Sequence, residues 1–201
     1  MKNLKIKIII GSTREKRFGE KPALWLFEEA KKIKGVEVEL LDLRDYPMAF
    51  IDTPASVLGS QAKKNSEIIK KWSAKIAEGD AFIIVTPEYN HGYPAALKNA
   101  LDVIYSEWNR KAVGFVSYGG VGGARAVEQL RQVVIELQMA PIREAIHLPF
   151  EIFTRAQKEN DPSKLREIFN IIRQFGNEDK VSKFFEELCW WAKALKKARG
   201  G

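Results

Sequence analysis

The sequence predicts an α/β fold: a doubly wound, five-stranded parallel sheet in the order 2-1-3-4-5, with helices on both faces. Three observations lead there. Strand-like runs alternate along the chain with segments of 3.6-residue apolar periodicity, the pattern of right-handed βαβ units. The run Ala81-Phe-Ile-Ile-Val85 is apolar at every position, as a strand buried on both faces requires. There are five such strands, which suits this order better than a six-stranded dinucleotide fold and puts the ligand at the carboxyl ends of the first and third strands.

Each element has its own signal. Lys5 to Ile10 is β-rich and ends in Gly11-Ser-Thr-Arg14, the first strand. From Phe18 the spacing changes: Ala23, Leu26, Phe27, Ala30 and Ile33 share one helical face, which stops at Gly35. Val36 to Leu41 alternates as the second strand, and Arg44 to Ser60, with two prolines, reads as a long loop. Ile68, Ile69, Trp72 and Ile76 mark a second helix before Gly79-Asp80 and the third strand at 81–85. A third helix is expected to start at Pro94, with Leu97, Leu101, Ile104 and Tyr105 on one face. Ala112 to Ser117 is the fourth strand, Val127 to Leu137 the fourth helix and Ile142 to Leu148 the fifth strand. Two helical segments close the chain, Ser163 to Gln174 and Lys180 to Lys197.

The chain has 201 residues, 45% hydrophobic and 29% charged, which makes one globular domain spanning 1–201 and excludes disordered and fibrous classes. No apolar run approaches the ~20 residues of a membrane span. The N-terminus lacks the apolar core of a signal peptide, so a cytoplasmic location is expected. The net charge is +7, but the surplus sits at the two ends: +6 over residues 1–35 and +4 over 192–201, with −3 between. That distribution argues against a nucleic-acid face. It reads as a solvated tail at the C-terminus and, in part, a phosphate site at the N-terminus. The single Cys189 excludes an internal disulfide framework and cysteine-rich metal sites, and with only His91 and His147 a histidine metal site is not expected.

Three strand ends carry unusual loops. Gly11 to Gly19 combines the Ser12 and Thr13 hydroxyls with Arg14 and Arg17 just before a helix start, as a phosphate group requires, although a solvated basic turn has the same composition. It is neither a Walker loop nor a Gly-x-Gly-x-x-Gly loop. Thr86 to Pro94 holds Tyr89, Asn90, His91 and Tyr93 between prolines and could seat a flat polar heterocycle. Ser117 to Arg125 has four glycines in five positions, so its amides can approach a ligand closely.

These three motifs, in this order, with Pro94-Ala-Ala-Leu-Lys-Asn-Ala-Leu-Asp102 following the second, resemble the NAD(P)H-dependent FMN reductases. These are flavodoxin-like flavoproteins that include quinone, azo-dye and chromate reductases. The resemblance runs from the first strand to Trp190-Trp-Ala-Lys-Ala-Leu195. It implies noncovalent FMN, with phosphate on Ser12, Arg14, Arg17 and the amides around Phe18 and Gly19. Pro87, Glu88, Tyr89 and Asn90 would line the isoalloxazine, and Ser117, Tyr118, Gly119 and Gly120 would border its other side. His91 either touches the ring edge or braces its loop. NADPH or NADH would supply a hydride, and the electrons would leave for a quinone, azo, flavin or metal-ion acceptor. No protein acid or base is required, so no catalytic residue is assigned.

The resemblance also implies a homodimer or homotetramer, with contact sought at Leu97 to Trp108. Trp72, Trp108, Trp190 and Trp191 read as packing or interface residues. Cys189 reads as a small buried hydrophobe. A Ser–His–Asp hydrolase lacks its nucleophile elbow at Ser117. A flavodoxin-type electron carrier and a redox-responsive FMN-binding interaction protein are the other readings of this fold. The basic charge suits the carrier poorly.

Overall fold

The computed structural model describes residues 3–50, 66–175 and 178–200; residues 51–60 of the expected long loop lie outside them. Five strands, β1 (Leu4–Ile10), β2 (Val36–Asp42), β3 (Ala81–Pro87), β4 (Ala112–Tyr118) and β5 (Ala140–Leu148), form one parallel sheet ordered β2-β1-β3-β4-β5. Between them run α1 (Glu20–Lys31), α2 (Glu67–Glu78), α3 (Ala95–Asp102) and α4 (Ala124–Glu136). After β5 come α5 (Phe150–Lys158), α6 (Pro162–Asn170), a 3₁₀ turn at Ile171–Gln174 and α7 (Lys180–Ala198).

The sheet divides the core in two. Ile6, Ile8 and Ile10 of β1 pack with α1 and with α5 to α7, while Ile9 faces the opposite cluster with α2, α3 and α4. Every residue of β3 and β4 is buried, which is why those runs carry no polar alternation. Gly114 lets α7 settle onto β4: a Cβ there would stand 2.6 Å from the Phe184 ring.

Several expectations change. The third helix ends at Asp102, and Pro94 is its extended N-cap rather than its first helical residue. Ile104 and Tyr105 continue the periodicity, but the chain has already turned toward a short 3₁₀ segment at Ser106–Trp108. The apolar residues of Leu97–Trp108 are spent inside the monomer: Leu97, Ala100, Leu101 and Trp108 are all buried in the α2–α4 core. There the Trp72 and Trp108 indoles donate to the Ala100 and Leu101 carbonyls at 2.8 and 3.2 Å, satisfying the frayed end of α3. Helix α5 was unexpected, being nine residues long with no side-chain cap. The basic C-terminus is not simply a solvated tail. Lys196 and Arg199 bind the Asp80 carboxylate at 2.7 and 3.1 Å, because that acid is nearly buried at the start of β3 and requires cations.

Candidate active site

All three loops emerge at the carboxyl edge of the sheet. In the first, Gly11 donates its amide to the Val85 carbonyl at 2.8 Å, and a Cβ there would press on that oxygen and on Leu97. Ser12 is buried, and its hydroxyl meets the Tyr89 hydroxyl at 2.9 Å, joining the first loop to the second. The exposed Arg14 lays its guanidinium over the Tyr89 ring, 5.4 Å from the centroid.

Arg17 points elsewhere. Its buried guanidinium donates to the Ser12 carbonyl at 2.6 Å, to both oxygens of Asp42 and to Glu20 at 2.7 Å. Its side chain therefore ties the loop to the end of β2 and the first turn of α1. Arg44 adds bonds to the Thr13 and Arg14 carbonyls. Burial alone would raise the Asp42 carboxyl, but hydrogen bonds from Arg17 and the Arg44 amide outweigh it and hold the group below its ordinary value.

Phe18 and Tyr118 also turn inward. Their rings meet edge-on at 4.8 Å, and both contact Phe153, so only their backbones face the loops. The Gly19 amide donates to the Tyr118 hydroxyl, and a Cβ on Gly19 would lie 2.8 Å from that oxygen. Burial pushes the Tyr118 phenol far above its ordinary value, so it stays protonated.

The second loop folds into a two-residue hairpin. Tyr89 and Gly92 exchange backbone hydrogen bonds at 2.7 and 3.0 Å, with Asn90 at φ +49° and His91 at φ +68°. That geometry leaves the amides of Asn90 and His91 outside the hairpin's own bonds. His91 is exposed, and its carbonyl accepts from Gln129 at 3.1 Å, a bracing contact through the backbone. Glu88 is committed on both sides. Its amide donates to the Tyr118 carbonyl at 3.0 Å, and its carboxylate accepts from the Arg125 amide at 3.1 Å and the Arg125 guanidinium at 2.8 Å. It thus caps α4 from a neighbouring loop.

In the third loop the buried Ser117 hydroxyl donates to the Gly122 carbonyl at 2.7 Å and meets His147 Nδ1 at 2.8 Å. Burial, with Lys180 and Arg131 nearby, lowers the His147 pKa, so the ring is neutral at pH 7. Gly123, at φ +77°, sits where a Cβ would come within 2.7 Å of Ser117 Cβ. Gly120 faces open space, with nothing within 4 Å of its Cβ position.

The donor set fits FMN. At one end are the Thr13 hydroxyl, the Arg14 guanidinium and the amides of residues 13–16, which meet no acceptor among the described residues; the N-terminus of α1 there has no side-chain cap. This end suits a phosphate dianion. At the other end are the Asn90 and His91 amides and the open face of Gly120, which suit a flat ring with polar edges. Pro87 closes β3 between these ends, and a Cβ on Gly119, at φ +154°, would lie 3.1 Å from Glu88 Cβ. Sequence reasoning missed Asp42, Arg44, Gln129 and His147, the partners that hold the loops, and no local signal distinguishes them.

Comparison with known proteins gives a consistent answer. Residues 4–151 match the family described as NADPH-dependent FMN reductase. An NAD(P)H-dependent FMN reductase of Schizosaccharomyces pombe is 42% identical over 147 residues, covering 72% of this chain and 74% of that protein. One from Saccharomyces cerevisiae is 34% identical, covering 68% and 76%. A quinone reductase of Pseudomonas putida is 32% identical, covering 67% and 71%. Among solved structures, a flavoenzyme NAD(P)H:(acceptor) oxidoreductase from Paracoccus denitrificans superposes with a TM-score of 0.60 at 20% identity, covering 92% of this chain and 98% of that one, a likeness of fold.

Proposed function

Because the chain belongs to the NADPH-dependent FMN reductase family and is therefore an NAD(P)H-driven, FMN-using oxidoreductase, we propose that its electrons pass to a small quinone-type acceptor. When bound, FMN supplies the redox chemistry, taking a hydride from the nicotinamide and yielding two electrons to the acceptor. The residues of the chain bind and orient. Thr13, Arg14, the Ser12–Tyr89 pair and the α1 N-terminus hold the phosphate, with Arg17 positioning that loop through Asp42 and Glu20. The Asn90 and His91 amides line one edge of the ring, and Gly119 and Gly120 border it. Glu88 and Ser117 act one step back, fixing the loops that carry those donors.

The observation that carries the reading is the convergence of three donor-rich loops at one sheet edge while Asn90, His91 and Gly120 remain exposed. A flat acceptor can reach such a rim, and quinone reductases among the relatives support the acceptor class. An electron carrier that never meets nicotinamide has no support from this family.

The test is the visible spectrum of FMN-loaded protein mixed anaerobically with NADPH or NADH, then with a benzoquinone. The bound-flavin band should bleach with nicotinamide and return on adding the quinone. A band that bleaches but returns only with an azo dye or ferric ion would overturn the quinone assignment. No bleaching at all would overturn the enzyme reading.

A further inference from the structure

Beside α7, between it and the C-terminal end of α1, lies an open groove of about 870 Å³, and none of its lining residues belongs to the three loops at the carboxyl edge of the sheet. Small-molecule sites run to about 300–1,000 Å³, so the groove has room for a ligand. Its floor is apolar. Val181, Phe185 and Cys189 of α7 are buried there, with the half-buried Ile33 from the turn after α1. Trp190, 65% exposed, forms a wall. From Val181 to Lys197 the lining follows one face of α7 for about 24 Å, so the groove is a trough along the helix, a shape that takes a chain better than a compact ring.

The charges around the trough select the head group. Glu29 is buried in its wall and is bound by Lys32 at 2.5 Å and by Arg173, which also holds Asp179, so these cations are already committed. Lys193 and Lys197 are exposed one turn apart, and among the described residues neither forms an ion pair, nor does Glu186. Glu186 stands seven residues before Lys193, about 10 Å along the axis, too far to pair with it. Two ammonium groups are thus left against one carboxylate, a balance that suits a monoanion seated between the lysines. A nucleic-acid strand would meet Glu186 on its path and an apolar floor beneath it.

We propose that this trough binds a free straight-chain amphipathic carboxylate of the fatty-acid type, its head group between Lys193 and Lys197 and its tail on Val181, Phe185, Cys189 and Ile33, beside the Trp190 indole.

Isothermal titration of the FMN-loaded full chain with dodecanoate, kept below the concentration at which it forms micelles, tests it. One molecule should bind per chain, and affinity should fall from dodecanoate to octanoate to hexanoate, because each buried methylene adds to the gain. Dodecanol, which keeps the tail and lacks the charge, should bind at least about tenfold more weakly. Lys193→Glu combined with Lys197→Glu should weaken dodecanoate by about tenfold or more and leave dodecanol unchanged, whereas Trp190→Ala should weaken both. FMN affinity, the bound-flavin spectrum and circular dichroism should be unchanged in these variants, which separates loss of the trough from loss of the fold. No binding at any chain length, several molecules per chain, or binding indifferent to the head group and to the lysine variant overturns the proposal. Binding that shifts the flavin band and ignores Trp190→Ala overturns it too, placing the carboxylate at the flavin instead. Two further results, each without uptake of free dodecanoate, reassign the trough and overturn the free ligand: sedimentation with phosphatidylglycerol vesicles that needs Trp190 and both lysines gives it to a bilayer surface, and a doubled chain mass that Trp190→Ala abolishes gives it to a second copy.

Discussion

Arg14 and Arg17 leave one loop in opposite directions, and their surroundings divide the work between them. Arg14 is exposed over Tyr89, with its donors available to a phosphate. Arg17 is sunk among Ser12, Asp42 and Glu20. Arg14→Ala should raise the FMN dissociation constant about tenfold to a hundredfold, because a charge-assisted bond is worth about 1.5–3 kcal/mol, and should leave the melting temperature of the FMN-free protein unchanged. Arg17→Ala should instead lower that temperature, at a cost of about 2–3 kcal/mol, because Asp42 loses both guanidinium bonds and keeps the Arg44 amide. Isothermal titration and calorimetry on the two variants distinguish the roles. Asp42 also sets an acid limit: its folded pKa is depressed, so the stability it contributes is complete above its unfolded value and lost as pH falls through the folded one. Lys111 behaves oppositely to a paired lysine. Burial lowers it from 10.5 to about 8, while its ammonium donates to the Ile76 and Ala77 carbonyls at 2.7 and 2.9 Å. Between those two values the unfolded chain holds a proton that the folded chain does not, so stability rises with pH in that window. The unfolding free energy of wild type minus that of Lys111→Met should therefore increase from pH 8 to pH 10; a flat difference would contradict the burial argument.

At the scale of the element, the glycine loop between β4 and α4 is shaped by two glycines with different duties. Gly123→Ala forces a left-handed alanine against Ser117 Cβ at 2.7 Å and the Tyr118 amide at 2.8 Å, so it should cost about 1–3 kcal/mol. Gly120→Ala meets nothing within 4 Å and should leave the melting temperature unchanged. Thermal melts of both variants test this contrast. The strands were the most legible elements, because β3 and β4, buried on both faces, are apolar without a break from Ala81 to Val85 and from Ala112 to Val116. Helix boundaries were less so. The periodicity of α3 runs on through Ile104 and Tyr105, yet the helix ends at Asp102, where the two buried indoles take its last carbonyls. Helix α5 is held against the core by Ile152, Phe153 and Ala156, anchors confined to a little over one turn and too few to stand out in the sequence.

For the whole molecule, the C-terminal helix acts as a clamp. It packs against the sheet through Phe184 over Gly114, and its last turn reaches back to Asp80 and to the Asn3 carbonyl. Deleting residues 196–201 removes both cations bound to the buried Asp80 carboxylate and leaves it, among the described residues, the Lys5 amide as its hydrogen-bond donor. The truncated chain should lose about 3 kcal/mol of stability, read from urea unfolding. Asp80→Asn in the truncated chain should recover part of that loss by removing the unpaired charge.

Strand order, layer arrangement, the three loops and the family were determined by the sequence, because periodicity, glycine placement and loop composition are local properties that survive without coordinates. Only the tertiary structure decided which donors stay free. Arg17 finds Asp42 across 25 residues, and Arg125 finds Glu88 across 37. Ser117 finds His147 across 30. Charge and hydrogen-bond partners are chosen by proximity in space, and the winding of the sheet sets that proximity.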